Sequence, residues 1–212
     1  KKRYIFSKDG FICGLGKKLK ASIQNCSKFG ATTAYGEKLL SEKLLQTNPD
    51  LVLIAYGGND CDYKWDEVAL SPLSVHNPNT PSKQYEHHLT RMVCSLLAQN
   101  KIPVLMNLPP LNAASYFRWF TNNDPQRANR ILQWLHDVSK IYWWQEKYSY
   151  IIERVAASLS VPIINIRSAF LRQNDYRAFI CEDGIHPNEK GQALIEQEFM
   201  NYIGKHAAYM ML

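Results

Sequence analysis

Apolar residues along this chain fall into short runs that alternate with longer stretches of helical spacing. Runs typical of β-strands lie at 23–26, which is the weakest, and at 51–56, 104–108 and 161–166. The runs at 51–56 and 104–108 are almost entirely apolar, as expected for strands that are covered by helices on both faces. Such strands alternating with helices predict repeated β-α units around a parallel sheet.

Between these runs, apolar positions recur every three or four residues, which predicts helices. We expect helices over 9–21, 36–46, 84–100 and 129–158, and a last helix over about 187–202. Two segments that follow strands, 61–82 and 109–125, break this pattern and are predicted to be long loops. Ligands of open α/β sheets bind beyond the carboxyl ends of the strands, so these loops are candidate walls of a substrate site. Ordinary surface loops fit the same pattern.

Composition favours one globular domain over residues 1–212. The 212 residues are 46% hydrophobic and 21% charged, which is enough to bury one core. The five cysteines are scattered and form no C-x-x-C pair, so neither a disulfide framework nor a metal site is expected. A reducing, cytoplasmic location is therefore predicted. The chain has no run of about 18 apolar residues, so no membrane span is expected.

The net charge of +6 and the pI of about 9.0 allow an acidic partner. However, Lys17, Lys18 and Lys20 fit the solvated face of an amphipathic helix, and no nucleic-acid motif accompanies them. We therefore expect no nucleic-acid partner.

The strongest candidate for chemistry is the pair Asp183 and His186. Pro187 favours an extended conformation at His186, and Pro187 suits the first position of a helix. His186 is thus predicted on the loop that enters the last helix. Asp183 can reach one ring nitrogen across a turn at Gly184, which would fix the tautomer and stabilise the imidazolium of a general base. An Asp-x-x-His before a helix is also a common capping pattern.

Two glycine-containing turns follow other predicted strands. In Tyr56-Gly57-Gly58-Asn59-Asp60, the glycines permit a sharp turn, and the Asn59 amide can donate to a developing oxyanion. After the run at 23–26, the Gly30 backbone N–H is a second candidate oxyanion donor. Each turn taken alone is an ordinary strand-to-helix connection.

In this order along the chain, these motifs resemble the SGNH hydrolases, also called the GDSL esterase and lipase family. Gly30 matches the family's second block, Gly57-Gly58-Asn59-Asp60 its third, and Asp183-Gly184-Ile185-His186 its fifth. The resemblance implies a flavodoxin-like three-layer α/β/α sandwich with a parallel sheet. It also implies Asp183 and His186 as members of a Ser-His-Asp triad and Asn59 and Gly30 as oxyanion donors. No metal or organic cofactor is implied.

The family's first block, Gly-Asp-Ser with the nucleophile, has no match in this chain. One alignment places Gly10, in Lys8-Asp9-Gly10, where the serine belongs. In the other alignment, 9–21 is the helix after the first block, so that the first strand and the serine precede Lys1. We expect the second alignment, with roughly 15 to 30 further N-terminal residues in the natural protein.

The predicted function is hydrolysis of a small or carbohydrate-linked acyl ester, with a small-molecule ester as the partner. Two alternatives stay open from the sequence. An acyltransferase would use the same residues, and a catalytically silent ester- or glycan-binding domain would result if Gly10 replaces the nucleophile.

Overall fold

The sheet of this protein contains three parallel strands in its described part. The computed structural model describes residues 10–42 and 44–212, and only the backbone of residues 44 and 45. Strands β1 (Leu51–Ile54), β2 (Ile102–Met106) and β3 (Ile163–Ile164) are hydrogen-bonded in the order β1-β2-β3. Leu53 is in register with Val104, and Met106 with Ile164. β1 and β3 lie within the predicted runs 51–56 and 161–166 and are shorter than these runs, whereas β2 begins and ends two residues earlier than the predicted run 104–108.

The predicted strand at 23–26 is wrong, because the structure has extended coil there. Ile23 is 41% exposed, and its neighbours Ser22, Gln24 and Asn25 are exposed as well. With one large apolar side chain and no sheet neighbour among the described residues, this segment has little surface to bury against the sheet.

Helices occupy most of the rest of the described chain, and three short 3-10 turns accompany them. The helices are α1 (Phe11–Gly16), α2 (Thr33–Glu42), α3 (Trp65–Leu70), α4 (Ser82–Leu97), α5 (Ala113–Thr121), α6 (Pro125–Leu135), α7 (Lys140–Ser158), α8 (Ile166–Leu171) and α9 (Glu189–His206). The 3-10 turns are Leu44–Thr47, Tyr176–Phe179 and Ala208–Met210. The predicted start of the first helix at Asp9 lies outside the described residues.

The helices cover both faces of the sheet. One core joins the sheet to α2, α4 and α7, and a second core joins it to α1, α8 and α9. Adjacent residues of β2 pack in different cores. Leu105 packs in the first core and Val104 in the second, and both side chains are fully buried. This is the predicted three-layer α/β/α arrangement, and it explains why the strand runs are almost entirely apolar.

Beyond the carboxyl ends of the strands lies a third cluster, rich in aromatic side chains, which we call the aromatic cluster. Its core residues are Trp65, Val68, Ala69, Leu111, Tyr116, Ile131, Leu135 and Ile141. Trp65 stacks on Phe120 with ring centroids 4.1 Å apart. Helices α3 and α5 of this cluster lie in the segments predicted as loops, so that prediction was wrong in part. Burial of the aromatic rings offsets the cost of ordering these segments.

The long helix predicted over 129–158 is divided in the structure. α6 ends at Leu135, His136 has a φ of 64°, and α7 begins at Lys140. The Asp137 carboxylate accepts a hydrogen bond from the Ser139 backbone N–H, which favours a turn over a continuous helix. This break lets α6 turn away and pack on α3 in the aromatic cluster.

Candidate active site

Asp183 and His186 form a close pair on a tight loop before α9. His186 Nδ1 lies 2.6 Å from Asp183 Oδ2, while Asp183 Oδ1 accepts hydrogen bonds from the backbone N–H groups of Ile185 and His186. The Asp183 side chain is 5% exposed and the His186 side chain 48%. The carboxylate is thus held inside the protein while the imidazole reaches the surface, as a base and its orienting group require.

The charge on Asp183 is maintained by its hydrogen bonds. Burial alone raises the pKa of this carboxyl group, but the bonds from the His186 ring and from the Ile185 and His186 backbone outweigh burial and lower the pKa below its ordinary value. Asp183 is therefore ionised at neutral pH and available to stabilise a positive charge on His186.

The backbone of this loop depends on Gly184. Gly184 has a φ of 80°, and a Cβ atom there would lie 2.5 Å from the Tyr116 backbone nitrogen and 2.6 Å from the Asn112 carbonyl oxygen. The loop is closed by hydrogen bonds from Gly184 N to Cys181 O and from Cys181 N to His186 O. Only glycine combines this positive φ with so close an approach to α5.

α9 begins later than predicted. Its first residue is Glu189, and Asn188 is the N-cap, whose side chain accepts from the Gly191 N–H. Pro187 therefore lies outside the helix, in an antiparallel bridge with Ile180. His186 is still on the loop that leads into the last helix.

The structure brings the two candidate oxyanion loops together. Asn59 Nδ2 donates to the Ala31 carbonyl oxygen at 3.1 Å, next to Gly30. The fully buried Asp60 carboxylate accepts from the backbone N–H and the hydroxyl of Thr33, at the start of α2. Asn59 and Gly30 are both exposed, and Gly30 has a φ of 72°. One N–H of the Asn59 amide holds the neighbouring loop, which leaves the second for a ligand.

Gly10 lies directly ahead of α1 with an extended backbone, at φ −64° and ψ 155°. The N–H of the next residue, Phe11, donates to Gln192 Oε1 in the first turn of α9 at 3.2 Å. Gly10 is thus placed beside the helix that follows His186. Gly10 is the residue that one alignment of the family's first block places where the nucleophile belongs.

Cys181 is the nucleophilic side chain nearest to Asp183 in sequence, but it is poorly suited to attack. Burial raises the pKa of its thiol, and the carboxylates of Asp183 and Glu182 raise it further. The thiolate is the reactive form, so the thiol is protonated at neutral pH.

Several residues that organise this region were not singled out from the sequence. Asp60 is the last residue of Gly57-Gly58-Asn59-Asp60, and the sequence indicated no role for it. In the structure, its buried carboxylate holds the start of α2 through the hydrogen bonds from Thr33. Asn107, at the end of β2, is 1% exposed and bonds to Glu153, Asn165 and the Arg167 backbone. A polar residue inside the apolar run 104–108 was the available signal for it.

The comparisons with known proteins show the family and the fold of this chain. A family model described as GDSL-like Lipase/Acylhydrolase family matches residues 13–194. The chain belongs to this family. The predicted family and the α/β fold are thereby confirmed, and the chain is by family a carboxylic ester hydrolase. A search of curated proteins gives no significant match.

Solved structures match at low sequence identity. An α/β hydrolase from the metagenome of Lake Arreo is 20% identical, with a TM-score of 0.66 over 92% of this chain and 82% of that one. A lipase/acylhydrolase from Enterococcus faecalis is 21% identical, with a TM-score of 0.57 over 83% and 72%. An acetylxylan esterase from Geobacillus stearothermophilus is 20% identical, with a TM-score of 0.56 over 82% and 68%. These similarities show a shared fold.

Within the described residues, no helix is both long and apolar enough to cross a membrane.

Proposed function

We propose that this protein is a serine-type ester hydrolase in which His186 is the general base and Asp183 orients it. The observation that carries the proposal is the 2.6 Å contact between Asp183 Oδ2 and His186 Nδ1. It holds a surface imidazole against a buried, ionised carboxylate. The proposed substrates are small or carbohydrate-linked acyl esters, and the acetylxylan esterase among the similar folds supports the carbohydrate-linked class.

The chemistry follows from the roles of these groups. His186 Nε2 accepts the serine proton as the serine oxygen attacks the acyl carbonyl, and then returns that proton to the departing alcohol. Asn59 and the Gly30 N–H stabilise the negative charge on the carbonyl oxygen. Water, activated by the same histidine, releases the acid. With another alcohol in place of water the same steps give acyl transfer, so product analysis separates these two reactions.

In this proposal the serine lies on a strand that precedes residue 1. In the described part of the chain, β1 hydrogen-bonds only to β2, and Leu51, Val52 and Leu53 are only partly buried. An additional parallel strand beside β1 would pair its remaining backbone groups and bury these side chains. It would also end at the same edge of the sheet as Asn59.

We expect Asn59→Ala to lower kcat by roughly 10²- to 10³-fold, because an oxyanion donor acts mainly in the transition state. KM should change little for the same reason. The measurement is steady-state hydrolysis of p-nitrophenyl acetate by the full-length protein. Asn201→Ala, which changes an exposed asparagine near the end of α9, is the control. An Asn59→Ala variant with the kcat of the unchanged protein would exclude this role.

The position of Gly10 favours a second function, ester or glycan binding without hydrolysis. If Gly10 occupies the nucleophile position, then Gly10→Ser should create an esterase from an inactive protein. The backbone at Gly10 is open to any residue, and serine is a favourable N-cap for α1. The gained activity should disappear in the double variant with His186→Ala, and Gly10→Ala should gain none. If the serine lies upstream, the protein is already active and Gly10→Ser adds nothing.

A further inference from the structure

Asp62 is a partly buried carboxylate that receives hydrogen bonds from two aromatic side chains. Its Oδ1 accepts from Trp65 Nε1 at 2.8 Å, and its Oδ2 accepts from the Tyr116 hydroxyl at 2.7 Å. Burial raises the pKa of Asp62, although these hydrogen bonds oppose the rise. An ionised, partly buried carboxylate accepts such hydrogen bonds strongly, so the Tyr116 contact fixes α5 to the loop that follows β1.

The other side of α5 contacts the loop of the proposed base. Asn112, the N-cap of α5, donates its backbone N–H to the Gly184 carbonyl oxygen at 2.8 Å. A Cβ atom at Gly184 would lie 2.5 Å from the Tyr116 backbone nitrogen. Gly184 lies between Asp183 and His186 in sequence, so a shift of α5 would move the pair.

The loop after β1 is in turn tied to Asn59. Asn79 Nδ2 donates to the Asn59 carbonyl oxygen at 2.9 Å, and the Asn79 backbone N–H donates to the Asp62 carbonyl oxygen at 2.8 Å. A continuous series of contacts therefore runs from Asn59 through Asn79, Asp62 and Tyr116 to the loop that carries His186.

We propose that Tyr116 is a positioning residue whose hydrogen bond to Asp62 sets the separation between Asn59 and His186. The inference rests on the proposed ester hydrolysis. Tyr116 does not touch the reacting atoms. It holds together the two loops that must act on opposite sides of one acyl carbonyl, where a misplacement of about 1 Å can cost roughly 10²-fold in rate.

Tyr116→Phe is the sharpest test because it removes the hydroxyl oxygen and leaves the ring in the aromatic cluster, 4.9 Å from Phe120. We expect kcat for p-nitrophenyl acetate to fall roughly tenfold and KM to stay within about twofold, because small displacements of aligned groups slow the reaction more than they weaken binding. Tyr202→Phe is the control. It removes the hydroxyl of a partly buried tyrosine on α9, which packs in the second core and takes no part in this series of contacts.

The outcomes separate this inference from the proposed function. Hydrolysis that depends on His186, with a lower kcat in Tyr116→Phe alone, supports the positioning role. Wild-type kcat in Tyr116→Phe overturns it, and so does a parallel loss of kcat and thermal midpoint in both tyrosine variants. If Tyr116→Phe does not fold, Asp62→Asn is measured instead and judged by the same criteria. An asparagine at this position has one acceptor oxygen, so either Trp65 or Tyr116 loses its acceptor. Hydrolysis that is unchanged in His186→Ala would instead overturn the proposed function.

Discussion

Replacing His186 by alanine should lower kcat for p-nitrophenyl acetate by roughly 10⁴- to 10⁶-fold in the full-length protein, as loss of a triad member does. Without the imidazole, no group accepts the serine proton. The Asp183 carboxylate would also lose the ring that it orients. Folding should be affected little, because half of the His186 side chain is exposed.

His88→Ala is a matched control for this result. His88 Nδ1 contacts Glu37 Oε2 at 2.5 Å, so it is also a histidine paired with a carboxylate, but it joins α4 to α2 away from the proposed site. Its replacement should leave kcat unchanged. Equal activity of the His186→Ala and wild-type proteins would remove His186 from the mechanism.

Replacing Arg167 by methionine should lower the free energy of unfolding by about 3 kcal/mol, because two hydrogen-bond acceptors inside the protein lose their donor and the ion pair with the half-exposed Glu146 is lost. The Arg167 side chain is 6% exposed and pairs with Glu146. Its guanidinium also donates to the Gln145 side chain at 3.0 Å and to the Leu108 carbonyl oxygen at 3.2 Å. Methionine fills much of the space but leaves both of these acceptors without a donor.

Urea denaturation measures this difference, and the thermal midpoint should fall by roughly 6 to 12 °C for a chain of this size. Arg154→Met is the comparison, since Arg154 pairs with Glu86 on the surface, where both side chains are more than a third exposed. Such a pair contributes less than about 1 kcal/mol. Equal destabilisation by the two substitutions would show that burial of Arg167 adds nothing.

The sheet could be predicted from the sequence because its described strands are almost entirely apolar and have helices on both faces. Val104 and Leu105 illustrate this, since their side chains enter opposite cores and both must be apolar. The predicted strand at 23–26 was wrong because Ile23 alone gave an apolar signal. Helices α3 and α5 of the aromatic cluster were missed because residues such as Trp65 and Phe120 are buried against partners distant in sequence, which no local periodicity records.

The site was predictable to the extent that it is local. Asp183 and His186 are three residues apart, so their contact follows from one turn. The support for that turn is not local: Gly184 packs against α5, and α5 is held by Asp62, more than fifty residues earlier in the sequence. The absence of a nucleic-acid partner, the absence of a cofactor and a cytoplasmic location stay predictions.

The central claim is that His186 activates a serine that precedes residue 1, and covalent labelling tests it most directly. A fluorophosphonate reagent reacts with an activated serine, and mass spectrometry of the digested full-length protein identifies the labelled peptide. We predict one labelled serine, upstream of residue 1, in the wild-type protein and no labelling in His186→Ala. No label on the wild-type protein, or equal labelling of both proteins, would contradict the claim.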